Sequence, residues 1–200
     1  MELFNNNSKL RDYFRDAIND NNLELEIIYG HTPHDNPFNK KEYLEVLRKC
    51  NTKYEKISET VDLDIRVDYK GNPSNIRCTI HGLDSIKKYC KKNKLLSVKD
   101  SIDFIEKKNN SKTGYETLRD NNYNIRLTLK EENKLSLNHR YVTSFLNNID
   151  DKNKHYRYKK RVSFITDDKM FRIDLTVVKS TNYFKGKYNF KKSFKEANIL

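Results

Sequence analysis

Two short stretches of this 200-residue chain carry side chains suited to phosphate chemistry. In LELEIIYG, at 23–30, Glu24 and Glu26 alternate with Leu23, Leu25, Ile27 and Tyr29. Successive side chains of a strand point to opposite faces, so the two carboxylates share one face. Carboxylates at i and i+2 offer hard oxygen ligands to a divalent cation, and the cation can in turn meet phosphate oxygens. The same pair could instead be solvated, or could serve as salt-bridge partners for a cationic wall. In HYRYKKRVSFITD, at 155–167, Arg157, Lys159, Arg161 and Ser163 line one face opposite Tyr158, Lys160, Val162 and Phe164. Cations placed every second residue repel one another unless an anion neutralises them. A triphosphate would do so, and guanidinium forks suit bidentate phosphate contacts.

The elements that must position these groups show the same alternation. MFRIDLTVV, at 170–178, sets Arg172, Asp174 and Thr176 against Phe171, Ile173, Leu175 and Val177, after a turn at 167–169. NYNIRLTLKEE, at 122–132, puts Asn124, Arg126, Thr128 and Lys130 on one face and Tyr123, Ile125, Leu127 and Leu129 on the other. From Ser58, Val61, Leu63, Ile65 and Val67 alternate with Asp62, Asp64, Arg66 and Asp68; a turn at 70–73 then leads to NIRCTIHG, where Asn75, Arg77 and Thr79 alternate with Ile76, Cys78 and Ile80, a hairpin pattern. Helical spacing appears at 8–20 through Leu10, Tyr13, Phe14, Ala17 and Ile18, and at 39–50, where Asn39 and Glu42 form a capping pair. Residues 83–93 and 97–107 read as two further helices, 31–38 as a loop and 108–121 as a polar connection. The expected fold is therefore α+β: an antiparallel β barrel or tunnel with a polar lumen and a few flanking helices. A sheet with one face in water is the alternative reading of each strand taken alone.

Bulk properties narrow the partners. With 36% hydrophobic and 12% aromatic residues, the chain suits one domain over 1–200, with an N-terminal helical segment at 1–22 and a connecting segment at 181–200. A charged fraction of 34% and a net charge of +12 point to a polyanion such as nucleic acid, nucleotide or phosphate. Cys50, Cys78 and Cys90 are odd in number without C-x-x-C spacing, which indicates neither a disulfide framework nor a zinc site. His31 and His34 form an H-x-x-H, but Pro33, Asp35, Asn36 and Pro37 mark it as loop. No apolar run reaches the roughly 20 residues of a bilayer span and no signal-peptide core is seen, so an intracellular protein without membrane association is expected.

These strands resemble the triphosphate tunnel metalloenzymes, and within them the metal-dependent RNA 5′-triphosphatases of mRNA capping, nearest to the triphosphatase domains of large DNA virus capping enzymes. The likeness rests on LELEIIYG, where the family has an opening E-x-E strand; on YRYKKRVSF at 156–164, where it has an R-x-K-x-R strand; and on FRIDLTVVKS at 171–180, where it has an inward Asp before L-T. Order and spacing match from about residue 20 to 180.

The resemblance implies that Glu24 and Glu26 are ligands of Mg²⁺ or Mn²⁺, that Arg157, Lys159 and Arg161 bind phosphate, and that Asp174 positions basic side chains or water. Arg77, Arg126 and Lys130 fall on other inward faces and are implied phosphate contacts. The implied reaction removes the γ-phosphate from 5′-triphosphate RNA, with free NTPs as further substrates and a guanylyltransferase domain or subunit as partner. The implied setting is the host cytoplasm or the virion of a virus.

One departure stands out. The family closes its tunnel with a late strand carrying a second E-x-E cluster, whereas this sequence ends KKSFKEANIL with Glu196 alone nearby. The expectation is a sheet that lacks its last strand. Three readings stay open: a fragment, a variant that recruits another carboxylate such as Glu132 or Asp64, or a non-catalytic module that binds RNA or polyphosphate within a capping assembly.

Overall fold

The computed structural model describes residues 8–30, 38–69, 72–109, 118–120 and 125–181. Its strands are β1 (Leu23–Tyr29), β2 (Glu55–Tyr69), β3 (Asn72–Pro73), β4 (Ile76–His81), β5 (Ile102–Asn109), β6 (Leu118–Asp120), β7 (Ile125–Leu135), β8 (Lys154–Ile165) and β9 (Arg172–Ser180). Helices α1 (Ser8–Asn19), α2 (Lys40–Lys53), α3 (Leu83–Lys92) and α4 (Arg140–Asn148) are joined by a 3-10 helix at Leu95–Ser101. The fold class is α+β, with antiparallel strand pairing as the alternation requires. By its contacts the chain divides into two compact units, Met1–Phe38 with Glu106–Lys134, and Asn39–Ile105 with Leu135–Leu200. The boundary falls within β5.

In the first unit the strand order is β1, β7, then the second half of β5, with β6 also on β7. Leu25 pairs with Leu129 and Ile27 with Leu127, so the apolar residues of both strands share a face. Leu127 and Leu129 are buried, as is Tyr13 of α1, the helix that packs on β1. The chain turns from α1 into β1 where Asp20 accepts the Asn22 backbone N–H.

In the second unit the order is the first half of β5, then β4, β2, β8 and β9. β2 is long enough to pair with both β4 and β8, as Leu63 does with Ile80 on one side and Tyr158 on the other. Leu63, Ile65, Val67, Cys78, Ile80, Tyr156 and Tyr158 present one apolar face, covered by Ile86 and Tyr89 of α3, Leu95 and Val98 of the 3-10 helix, and Val142, Phe145 and Ile149 at α4. Each fully buried aliphatic or aromatic side chain here is worth roughly 1.5–3 kcal/mol of transfer free energy. Phe104 of β5 meets Phe145 edge to face at 5.6 Å. Within this layer the hydroxyls of Tyr89 and Tyr156 hydrogen-bond to each other at 3.0 Å.

Local signals account for the element ends. Asn39 and Glu42 form the reciprocal capping box at the start of α2 that their spacing predicts. Gly82 turns the chain from β4 into α3 with φ 81°, a left-handed conformation that disfavours any side chain. Asn93 closes α3 in the αL conformation.

One expectation is corrected and one element was missed. Residues 97–107 do not form one helix: a 3-10 turn gives way at Ile102 to strand β5, where Ile102 and Phe104 alternate with Asp103. The helix α4 was not read from the sequence, although Val142, Phe145 and Ile149 recur on one helical face and close the core. His31, His34, most of the 108–121 connection and Glu196 lie outside the described residues. Among the described residues no helix is long and apolar enough to cross a membrane.

Candidate functional site

Because β1 and β7 are antiparallel and in register, Glu24 stands opposite Lys130, Glu26 opposite Thr128 and Ile28 opposite Arg126. Directly opposed residues share a face, so Glu24 and Glu26 lie beside Lys130 and Arg126 in the first unit. Glu26 is exposed, while Glu24 is half-buried and receives the ammonium of Lys107 from β5, Nζ to Oε2 3.0 Å. The same ammonium makes an ion pair with Glu132 of β7. Sequence reading of 97–107 as helix hid Lys107; the alternation of Ile102, Asp103 and Phe104 was the signal that could have exposed it.

Glu24 and Glu132, which meet at one ammonium, offer hard oxygen donors of the kind Mg²⁺ and Mn²⁺ take, and Glu26 lies on the same face. No group of three His, Cys, Asp or Glu side chains converges tightly enough among the described residues to enclose a metal by itself. The donor set fits an ion that keeps several waters and shares the remaining positions with phosphate oxygens, as Mg²⁺ does.

In the second unit the polar face is assembled from four strands. On β2, Thr60, Asp62 and Asp64 pair in register with Arg161, Lys159 and Arg157 of β8, and Asp64 and Asp62 pair with Thr79 and His81 of β4. On the far side of β8, Arg161 pairs with Thr176 and Ser163 with Asp174 of β9. Arg77, Arg157, Lys159, Arg161 and Asp174 therefore occupy one face of this sheet, opposite the apolar core.

The carboxylates on that face hold the cations in place. Buried Asp64 accepts from Lys159 Nζ and from the Thr79 hydroxyl, both at 2.9 Å on Oδ1, with Arg77 Nε at 4.0 Å. Asp174 pairs with Arg161 at 3.2 Å and Arg172 at 3.0 Å, and accepts the Ser163 hydroxyl at 2.8 Å. The guanidinium of Arg161 also donates to Thr176 Oγ1 at 3.2 Å. Arg157 makes no ion pair among the described residues.

The ionisation equilibria register a positive field. Burial lowers the Lys159 pKa, Asp64 opposes the shift, and Arg77 and Arg161 add to it. His155, next to the row, is held below its ordinary value by burial and then by Arg157 and Arg66, which outweigh Asp64. At one end the sign reverses. The two ring nitrogens of His81 lie 2.8 Å from Asp62 Oδ1 and 3.1 Å from Asp103 Oδ2, and the bond to Asp62 raises the His81 pKa against the effect of burial. Burial resists ionisation of Asp62, but His81, Lys159 and Thr60 outweigh it and keep its carboxyl below the ordinary range. Asp62 and Asp103 were not singled out as site residues in the sequence, since their partner His81 is on a third strand.

In this row Lys159 and Arg161 are each held by a carboxylate of a neighbouring strand while Arg157 makes no ion pair among the described residues, a cationic surface of the kind that attracts a multiply charged anion. The cysteines take no part. Burial pushes Cys78 upward and Cys90 to about 11, leaving both as protonated, inert thiols.

The fold carrying this face is that of the viral mRNA-capping triphosphatase domains. The RNA triphosphatase domain of a trifunctional mimivirus mRNA capping enzyme superposes with a TM-score of 0.64 over 96% of this chain and 94% of its own, at 21% identity. Triclinic and monoclinic structures of the mimivirus capping enzyme triphosphatase each give a TM-score of 0.61, at 21% identity over 88% of this chain and 80% of theirs, and at 19% over 96% and 93%. No protein-family model and no curated protein matches the chain.

Proposed function

We propose that this chain binds the 5′-triphosphate end of RNA and hydrolyses its γ-phosphate with a divalent cation, the opening step of mRNA capping. The observation that carries this reading is the row Arg157, Lys159, Arg161, with Lys159 held by Asp64 and Arg161 by Asp174, on the polar face of a fold shared with capping triphosphatases.

Each group has a distinct task. Arg157 and Arg161 offer planar forks to the phosphate oxygens, and Lys159 adds a point charge beside them. Asp174 keeps the Arg161 guanidinium oriented, and Asp64 does the same for Lys159. Arg77 extends the cationic surface on β4, while Arg126 and Lys130 supply cations to the first unit. Glu24, Glu26 and Glu132 would hold Mg²⁺ or Mn²⁺, which when bound neutralises charge on the phosphoryl oxygens and lowers the pKa of a coordinated water. Fixed charges of this kind stabilise the charge that develops in phosphoryl transfer without reorganising. Free NTPs carry the same triphosphate and belong to the same substrate class. The reading brings with it a guanylyltransferase domain or subunit to use the diphosphate end, in a viral setting within the host cytoplasm or the virion.

The test is phosphate release from triphosphate-ended RNA and from ATP, each with Mn²⁺ and with Mg²⁺. Release that needs the cation supports the reading. Tight, salt-sensitive binding of the RNA end without release would instead identify a non-catalytic module of a capping assembly, and absence of binding would overturn both.

A further inference from the structure

In the first unit one ammonium serves two carboxylates on neighbouring strands. Lys107 Nζ lies 3.0 Å from Glu24 Oε2 and is ion-paired with Glu132, and its own side chain is largely buried. Glu24 belongs to β1, Lys107 to β5 and Glu132 to β7, so the contact gathers three strands around one positive charge.

We propose that Lys107 and a divalent cation compete for the same oxygens of Glu24 and Glu132, so that cation binding releases the ammonium to a phosphate oxygen. The inference rests on the metal-dependent reading above and adds to it a positioning residue that couples the two ligands. An ammonium meets carboxylate oxygens near 3 Å, whereas Mg²⁺ or Mn²⁺ meets them about 1 Å closer, so the two carboxylates need little movement to exchange one for the other. Both cations cannot occupy that space at once, because like charges a few Å apart in a part-buried site repel strongly. Lysine is suited to the exchange: its compact charge sits on a flexible four-carbon stem, with three donors available to phosphate. The displaced ammonium stays on the face that already carries Lys130 opposite Glu24, where an incoming phosphate would meet both.

A purely structural ion-pair cluster makes a different prediction, and direct titration separates them. Mn²⁺ binding to the full chain is followed by the loss of its free-ion paramagnetic resonance signal, with no substrate present. Lys107→Met should bind Mn²⁺ roughly two- to fivefold more tightly than the unmodified chain, the effect of removing one part-buried competing charge. Lys107→Gln, which keeps hydrogen bonding without charge, should do the same and covers the case in which the Met variant fails to fold. Glu132→Gln should weaken Mn²⁺ binding. Unchanged or weaker affinity in both Lys107 variants, with the unmodified chain binding normally, overturns the competition alone. Failure of every chain to bind Mn²⁺ up to millimolar concentration overturns the competition together with the metal-dependent part of the proposed function.

Discussion

Lys159 and Asp64 meet across β8 and β2 at 2.9 Å, both nearly excluded from solvent, so the central cation of the row is held by a carboxylate from the strand beside it. Such a pair is expensive to break from one side. Removing Lys159 leaves a buried carboxylate that keeps the Thr79 hydroxyl at 2.9 Å and the Arg77 guanidinium at 4.0 Å. Lys159→Met should therefore lower unfolding free energy by about 3 kcal/mol, and Asp64→Asn by a similar amount, while the double variant recovers much of the loss. Urea unfolding of the four proteins in a double-mutant cycle checks this. Strictly additive losses would mean that the two residues are not coupled.

The cationic row separates into a braced and an unbraced member. Arg161 has Asp174 and Thr176 as partners, whereas Arg157 makes no ion pair among the described residues. Arg157→Ala should leave stability within about 0.5 kcal/mol yet weaken binding of triphosphate-ended RNA. Adding Arg161→Ala should weaken it further and reduce the salt slope by roughly 0.7 for each single-strand phosphate that is no longer neutralised. Equal affinity and slope in the double variant would make the row solvated surface.

The alternating strands were legible in the sequence because hydrophobic period reports directly on which face is buried. Val61, Leu63, Ile65 and Val67 needed only the two-residue rule, and the capping box at Asn39 only its spacing. What was not legible is pairing between distant strands. That Asp64 would neutralise Lys159, or that Asp62 and Asp103 would share His81, depends on register across β2, β4, β5 and β8, which no local pattern encodes. The segment 97–107 misled because Ser97 with Asp100 has the spacing of a helix start, whereas a 3-10 turn runs there before the strand period takes over at Ile102.

His81 gives the fold a pH dependence with a defined sign. Its bond to Asp62 raises its pKa above the ordinary 6.5, so the folded state holds the proton more tightly than the unfolded chain. That stability is fully present below about pH 6.5 and is lost as pH rises through the higher folded value. Asp62 works in the other direction: its depressed pKa gives stability present above the ordinary 3.8 and lost as pH falls through the folded value. Unfolding free energy measured from about pH 6 to about pH 9 should decline, and His81→Gln should flatten the decline. A wild-type curve with the same slope as the variant in that window would remove His81 as its source.

Glu24 and Glu26 differ in a way that gives each neutralisation its own signature. Glu24 is tied to Lys107, whereas Glu26 is exposed and forms no ion pair among the described residues. With chelator present, Glu24→Gln should cost about 0.5–1 kcal/mol through the lost ion pair, and Glu26→Gln should change stability by less than about 0.5 kcal/mol. If both carboxylates hold a divalent cation, that asymmetry must vanish in its presence: saturating Mn²⁺ should raise the melting temperature of the unmodified chain, and either variant should lose most of that increment, because stabilisation follows the ratio of ligand to its dissociation constant. Phosphate release from triphosphate-ended RNA should collapse in both. A Glu26→Gln protein that keeps its full Mn²⁺-dependent stabilisation and turnover would place the cation on Glu24 and Glu132 alone, whereas the same result in both variants would detach these glutamates from the chemistry.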